Sequence, residues 1–165
     1  MTKTLIIIRH GKSSWDYPDI ADIDRPLKET GITKTLLVAK KLKERKLEPG
    51  LILSSPANRA LHTATIVARE IGFSTEQIVI KKEIYYDSET EVNRIIQITD
   101  REISTLFLFG HNPTFTNLVN TYLKKPIANL PTSGTVIFEF DCDSWSEISK
   151  SSRKNEICIF PKNLK

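Results

Sequence analysis

Three short runs of the chain, residues 5–8, 51–53 and 105–110, are almost entirely apolar and show no alternation with polar side chains. Strands have this pattern when helices cover both faces of their sheet, as in parallel sheets. Amphipathic segments separate the runs, and residues 31–46 carry the apolar stripe of a helix. The stripe consists of Ile32, Leu36, Ala39 and Leu42. This alternation predicts an α/β fold, a three-layer α/β/α sandwich with a mainly parallel central sheet.

Capping and breaking residues mark the ends of other helices. Ser55 suits the N-cap and Pro56 the first turn of a helix that Gly72 ends. Ser88 and Glu91 have the spacing of a capping box, which predicts the start of another helix. Further short strands are predicted at residues 78–80, 134–141 and 156–160, the last two nearer the edge of the sheet.

The length and composition are those of a single globular domain. At 165 residues the chain is expected to form one domain, residues 1–165, that is large enough to bury a full core. Apolar residues make up 39% and charged residues 27%, which is typical of soluble proteins. No apolar run is long enough to cross a membrane, and the N-terminal run is too short for a secretory signal. We therefore expect a cytoplasmic protein without a membrane partner.

The net charge of +4 is mild and limits the kinds of partner. The densest basic segment, residues 40–46, has no aromatic side chains among its lysines, which argues against a nucleic-acid partner. It is typical of the solvated face of a helix. A positive balance does suit a small anionic substrate.

The metal-ligating residue types are few and widely spaced. Cys142 and Cys158 form no CxxC pair, and both are expected to be reduced thiols. The three histidines show no ligand spacing, and no acidic cluster accompanies them. We therefore expect no metal and no cofactor.

Polar groups follow three of the predicted strands directly. Arg9 and His10 follow the first strand, Arg59 lies just beyond the second, and His111 and Asn112 follow the strand at residues 105–110. Because the carboxyl ends of parallel strands meet at one edge of a sheet, these side chains are expected to converge there. The N-termini of the following helices would add unpaired N–H groups. Two imidazoles and two guanidinium groups without an obvious carboxylate partner suit a dianion such as phosphate.

The segments that carry these groups resemble a known family. They are Arg9-His10-Gly11, "DIDRPLKETG" at residues 22–31, "SSPANRALHTA" at residues 54–64 and "GHNP" at residues 110–113. Together they are similar to the histidine phosphatase superfamily, which has the phosphoglycerate-mutase-like fold. Within it the chain resembles the small SixA-type phosphohistidine phosphatases, and the likeness weakens after about residue 141.

The resemblance implies a role for each matching residue. His10 is the nucleophile, Arg9 and Arg59 bind the phosphoryl group, and His111 completes the pocket. Ser13, Arg25 and Asn112 are expected to contact the phosphate as well. A neutral imidazole near pH 7 can attack phosphorus and form a phosphohistidine intermediate. Arg9, Arg59 and a protonated His111 would then meet the charge on the phosphoryl oxygens without a metal.

Larger relatives carry an acidic residue that protonates the leaving oxygen, and no convincing counterpart is present here. The candidates are Glu83, Asp87, Asp16 and Asp24. An alkoxide leaving group needs such an acid, whereas imidazole, with a pKa of about 6.5, is easily protonated by solvent. The lack of a convincing proton-donating acid therefore favours hydrolysis of a P–N bond.

The leading hypothesis is therefore a monomeric phosphatase that acts on phosphohistidine in another protein, such as a phosphotransfer component. One alternative is a phosphatase for small phosphate monoesters. Another is a catalytically silent module that binds phosphate or phosphoproteins. Mutase activity is less expected because the chain has little material to close over a substrate.

Three aromatic residues outside these motifs are expected to pack within the fold. Trp15 and Tyr17 are near enough to the first motif to line the mouth of a site, but packing is the stronger expectation. Trp145 is expected to anchor the region of the late strands.

Overall fold

The computed structural model describes residues 1–165, which form one six-stranded mixed sheet covered by helices on both faces. The strands are β1 (Thr2–Arg9), β2 (Leu51–Ser54), β3 (Val79–Ile80), β4 (Thr105–Gly110), β5 (Thr135–Asp141) and β6 (Arg153–Ile159). The helices are α1 (Glu29–Glu44), α2 (Asn58–Ile71), α3 (Glu83–Tyr86), α4 (Glu89–Gln97) and α5 (Thr114–Tyr122). None of the helices is long and apolar enough to cross a membrane.

The sheet has the order β3-β2-β4-β1-β5-β6. The first four strands in this order are parallel, and β5 and β6 are antiparallel additions beside β1. The mainly parallel sheet is therefore confirmed, and β6 lies at one edge as expected. Each parallel connection places a helix over one face of the sheet, which generates the layers.

Two hydrophobic cores, one on each face of the sheet, explain the apolar runs. Leu5 and Ile7 of β1 pack with α4 and α5, whereas Ile6 and Ile8 pack with α1 and α2. All four side chains are fully buried. Residues 5–8 are covered on both faces of the sheet, which explains why this run is entirely apolar, and the predicted three-layer sandwich is confirmed.

Three local predictions are wrong in detail. Ile32 is exposed, because α1 turns a neighbouring face inward that consists of Gly31, Thr35, Val38, Ala39 and Leu42. Ser55 does not cap α2, which begins at Asn58. Ser88 precedes α4 but makes no capping hydrogen bond, and Glu91 pairs with Arg94 instead. Gly72 does end α2, with the left-handed backbone (φ 81°) that glycine favours.

The segment after β1 folds back tightly onto the start of α1. The amide of Lys28 donates to the carbonyl of Lys12 at 2.8 Å, and Ser13 pairs with Leu27 in an antiparallel bridge. Gly31 lies directly against this turn, and a Cβ there would collide with the backbone of Lys12. The close approach fixes the residues that immediately follow His10.

We predict that Gly31→Ala lowers the free energy of unfolding by about 2 kcal/mol, because backbone atoms cannot move away as a flexible side chain could. Urea denaturation measures the change, with the exposed Lys34→Ala on the same helix as the control. Equal denaturation midpoints for Gly31→Ala and the unaltered protein would contradict the tight packing.

Candidate active site

The two histidines meet because β1 and β4 are parallel neighbours in register. Arg9 pairs with Gly110, so His10 and His111 leave adjacent strands at the same edge of the sheet. Their ring centroids lie 5.1 Å apart. The sequence argument for convergence at the carboxyl edge is therefore correct in its geometry.

A cleft of about 250 Å³ opens at this edge, and we call it the phosphoryl cleft. It is lined by Arg9, His10, Lys12, Ser13, Trp15, Arg25, Lys28, Arg59, His111, Asn112 and Thr132. All seven residues assigned from the sequence are among them. Lys12, Lys28 and Thr132 are additional polar residues that sequence reasoning did not assign. Nowhere do three or more His, Cys, Asp or Glu residues cluster closely enough to hold a metal ion.

His10 is held in the tautomer that a nucleophile needs. Its Nδ1 lies 2.7 Å from the carbonyl oxygen of Gly11, and a carbonyl can only accept, so Nδ1 carries the proton. The lone pair is therefore on Nε2. The amide of Gly11 in turn donates to Thr63 at 2.9 Å, which fixes this turn against α2.

Burial, together with the nearby Arg59, Arg9 and Arg25, lowers the pKa of His10 to about 4. The hydrogen bond to Gly11 opposes this shift but does not cancel it. The ring is therefore neutral at pH 7, as an attacking nitrogen must be.

His111 is half-buried and is also neutral in the free site. Burial lowers its pKa to about 3, and the adjacent His10 and Arg59 act in the same direction. Its Nε2 lies 2.7 Å from the hydroxyl of Ser55, which also accepts from the amide of Ala57 at 3.1 Å, just before α2 begins. The expected protonated His111 thus does not fit the free site, although a bound dianion would favour the imidazolium.

The arginines differ in how much of each guanidinium group is free. Arg9 donates from one terminal nitrogen to the carbonyl of Leu130 at 2.9 Å, and its buried Nε has no partner. Arg25 donates to the carbonyl of Ser14 at 3.0 Å and to the hydroxyl of Ser13. Ser13 and Arg25 therefore form a connected pair at the cleft.

Asn112 lines the phosphoryl cleft, but its amide group is fully engaged. Its oxygen accepts from the amide and hydroxyl of Thr116 at 3.0 and 2.9 Å. Its nitrogen donates to the Asn129 side chain and to the carbonyl of Leu130, both at 3.0 Å. The geometry assigns Asn112 to fixing the turn after His111 rather than to contacting phosphate.

Asp22 is the site residue that the sequence argument missed, and the expectation of no carboxylate partner is wrong. Its carboxylate accepts from Arg59 at 2.9 Å, from Arg25 at 3.1 Å and from the Tyr85 hydroxyl at 2.7 Å. Its backbone carbonyl accepts from Arg59 as well, at 2.7 Å. Asp22 stands three residues before Arg25, a spacing that could have indicated the pair with Arg25.

The hydrogen bond from Tyr85 holds the pKa of Asp22 well below its usual range, and those from Arg59 and Arg25 add to the effect. Asp22 is therefore a carboxylate at neutral pH and has no proton to donate. It acts on the two arginines, which it orients and partly neutralises.

None of the four acids considered as proton donors lines the phosphoryl cleft. Asp16 lines a neighbouring cavity, and Asp24 and Asp87 are exposed. Glu83 lies on α3, two residues before Tyr85, and one of its carboxylate oxygens is buried without a partner.

The comparisons with known proteins agree with this arrangement. Residues 5–103 match the histidine phosphatase superfamily (branch 1). The chain belongs to this superfamily. An uncharacterized chloroplastic protein of Arabidopsis thaliana is 30% identical over 155 residues, which cover 89% of this chain and 71% of that protein.

Solved structures place this histidine phosphatase with the SixA-type branch. The SixA structure from Agrobacterium tumefaciens is 28% identical, with a TM-score of 0.76 over 84% of this chain and 92% of that one. The SixA structure from Nakamurella multipartitia is 17% identical and shares the fold, with a TM-score of 0.82 over 98% and 97% of the two chains.

Phosphoglycerate mutases match over shorter stretches. The 2,3-bisphosphoglycerate-dependent enzyme of Chelativorans sp. is 29% identical over 93 residues, which cover 53% of this chain. The chain spans 45% of that mutase, less than half of its length. The resemblance to the mutases is therefore partial.

We predict that the imidazole of His10 titrates near pH 4 in the free protein, because protonation would add a cation to a buried group of arginines. NMR titration of the ring resonances, assigned by their loss in His10→Gln, measures the midpoint. A midpoint at or above pH 6.5, the ordinary value, would contradict the burial argument.

We predict that Asp22→Asn lowers kcat/KM for an aryl phosphate by about tenfold and weakens inhibition by inorganic phosphate, because Arg59 and Arg25 lose their orienting charge. Asp24→Asn, an exposed carboxylate in the same turn, is the matched control. A loss of folding stability without a change in phosphate inhibition would instead indicate a merely structural carboxylate.

Proposed function

We propose that the protein removes phosphoryl groups from phosphohistidine in a partner protein, through a phosphohistidine intermediate on His10. The observation that carries this proposal is the free Nε2 of a neutral His10 among Arg9, Arg25 and Arg59. A nucleophile surrounded by cations suits a phosphoryl dianion. The likeness to SixA structures described as phosphohistidine phosphatases supports the same substrate class.

The proposed reaction has two displacements at phosphorus. In the first, Nε2 of His10 attacks, the P–N bond of the substrate breaks, and the leaving imidazole takes its proton from solvent. In the second, water attacks the phosphoryl-His10 intermediate and releases inorganic phosphate and a neutral His10. The three arginines and His111 stabilise the charge on the equatorial oxygens in both steps.

The choice of a P–N bond follows from the leaving group. Asp22, the one carboxylate bonded to the site's arginines, is held ionised and cannot protonate an alkoxide. An imidazole leaving group, with a pKa of about 6.5, does not need such a donor. A metal-independent mechanism, a monomeric state and a cytoplasmic location complete the proposal as predictions.

A phosphatase for small phosphate esters is the second candidate, and Glu83 favours it. Its buried, unpartnered carboxylate oxygen lies on the helix whose Tyr85 packs 5.3 Å from the ring of His111. A carboxylic acid there could protonate an ester oxygen. In that case Glu83→Gln slows the hydrolysis of phosphoserine or sugar phosphates and leaves the hydrolysis of phosphohistidine unchanged.

We predict that the protein releases phosphate from a chemically phosphorylated histidine protein, and that His10→Ala reduces kcat by about 10³-fold or more because the nucleophile is lost. Phosphate release, measured beside phosphoserine and an aryl phosphate, ranks the substrates. Trapping of acid-labile phosphate on His10 identifies the intermediate.

No release from phosphohistidine beside good turnover of phosphoserine would refute the proposal in favour of the ester phosphatase. Tight phosphate binding without turnover of any of these substrates would instead indicate a binding module.

A further inference from the structure

The exposed aromatic residues of the protein are Trp15, which lines the phosphoryl cleft, Tyr17, which lines a neighbouring cavity, and Tyr86 on α3. Trp15 is 74% exposed, Tyr17 57% and Tyr86 68%, and every other exposed large hydrophobic side chain is aliphatic. We call these three residues the aromatic rim. The expectation that Trp15 and Tyr17 pack within the fold is wrong, whereas Trp145 is fully buried as expected. Exposed aromatic side chains gathered at one place are typical of an interaction surface.

The aromatic rim is connected to the phosphoryl cleft through direct contacts. The guanidinium carbon of Arg25 lies 3.3 Å from the ring centroid of Trp15. Arg25 and Tyr85 both bond to Asp22, and the ring of Tyr86 packs edge-on against Tyr85 at 4.7 Å. A molecule that places a phosphoryl group in the cleft therefore lies beside the rim.

Tyr17 extends the rim to a second cavity of about 450 Å³. Lys28 lines both this cavity and the phosphoryl cleft, so the two are adjacent. Together they offer room for the segment that flanks a phosphorylated residue, and a free phosphorylated amino acid would leave the second cavity unused.

The charge of the segment that carries Trp15 and Tyr17 indicates which kind of partner surface fits the aromatic rim. Residues 15–24, "WDYPDIADID", contain four aspartates and no lysine or arginine. Asp22 is committed to the arginines, whereas Asp16, Asp19 and Asp24 form no ion pair. These free carboxylates, which share a segment with the exposed Trp15 and Tyr17, complement a basic and apolar surface.

We propose that the aromatic rim docks a protein that presents its phosphohistidine next to apolar and lysine or arginine side chains. The inference rests on the proposed function and adds the chemistry of the partner's surface. The partner's phosphoryl group enters the cleft, its apolar side chains cover Tyr17 and Tyr86, and its cations face Asp16 and Asp19. Specificity then comes from the rim, while the cleft supplies the chemistry.

The test compares three probes: free phosphohistidine, a short peptide with phosphohistidine flanked by leucine and lysine, and the same peptide with glutamate in place of lysine. The double variant Tyr17→Ala/Tyr86→Ala is expected to lose about tenfold in kcat/KM for the lysine peptide. Its kcat/KM for free phosphohistidine is expected to be unchanged. Ile98→Ala, which truncates a 67% exposed side chain outside the rim and the cleft, is the control.

Charge reversal tests the second half of the proposal. Asp16→Lys/Asp19→Lys is expected to reverse the preference, so that the glutamate peptide becomes the better substrate. Free phosphohistidine again serves as the internal reference. If the double variant still prefers the lysine peptide, Asp16 and Asp19 do not contact the cations of the substrate.

Other outcomes overturn the proposal in distinguishable ways. If Tyr17→Ala/Tyr86→Ala lowers kcat/KM equally for the lysine peptide and for free phosphohistidine, the tyrosines support the cleft rather than dock a partner. A dimer in sedimentation that Tyr17→Ala/Tyr86→Ala dissolves would assign the rim to a second copy of the chain. If the unaltered protein hydrolyses an aryl phosphate but none of the three probes, the proposed function itself fails, and docking fails with it.

Discussion

The crowding of positive charge at one buried edge of the sheet governs the rest of the site. Three guanidinium groups line a cleft in which His10 and Arg59 are nearly inaccessible to solvent. Burial and these charges hold both imidazoles neutral, which keeps a lone pair on Nε2 of His10. The same shifts reduce stability in acid. An unfolded chain protonates its histidines below about pH 6.5 while the folded site resists, so stability falls as the pH drops toward 4.

The fold tolerates this concentration of positive charge because a carboxylate and several backbone carbonyls pair with the arginines. Asp22 offsets the charge of Arg59 and Arg25, and backbone carbonyls accept from Arg9 and Arg25. Each arginine thus has at least one fixed partner outside the phosphoryl position. Groups held in this way need little reorganisation when a dianion arrives, which is the condition for electrostatic stabilisation of a transition state.

The sequence predicts best those features that are set by local patterns or by the sheet. The buried strands β1 and β4 follow from their unbroken apolar runs, and the meeting of His10 and His111 follows from parallel pairing. The function of Asp22 depends on Arg59 and Tyr85, which are 37 and 63 residues away, and no local rule indicates such partners. Ser55 illustrates the same limit, because its contact with His111, 56 residues away, follows from no local rule.

The position of Asp22 also bears on how the site discriminates between charge states. A phosphoryl group approaching Arg59 meets a guanidinium group that already donates two hydrogen bonds to Asp22. The Coulomb attraction to the remaining N–H groups of the three arginines grows with the charge of the anion, so a dianion competes with Asp22 better than a monoanion does. The carboxylate also limits how tightly the inorganic phosphate product is held. Under the proposed function, one acidic residue at the cleft thereby favours a doubly charged substrate and the release of inorganic phosphate.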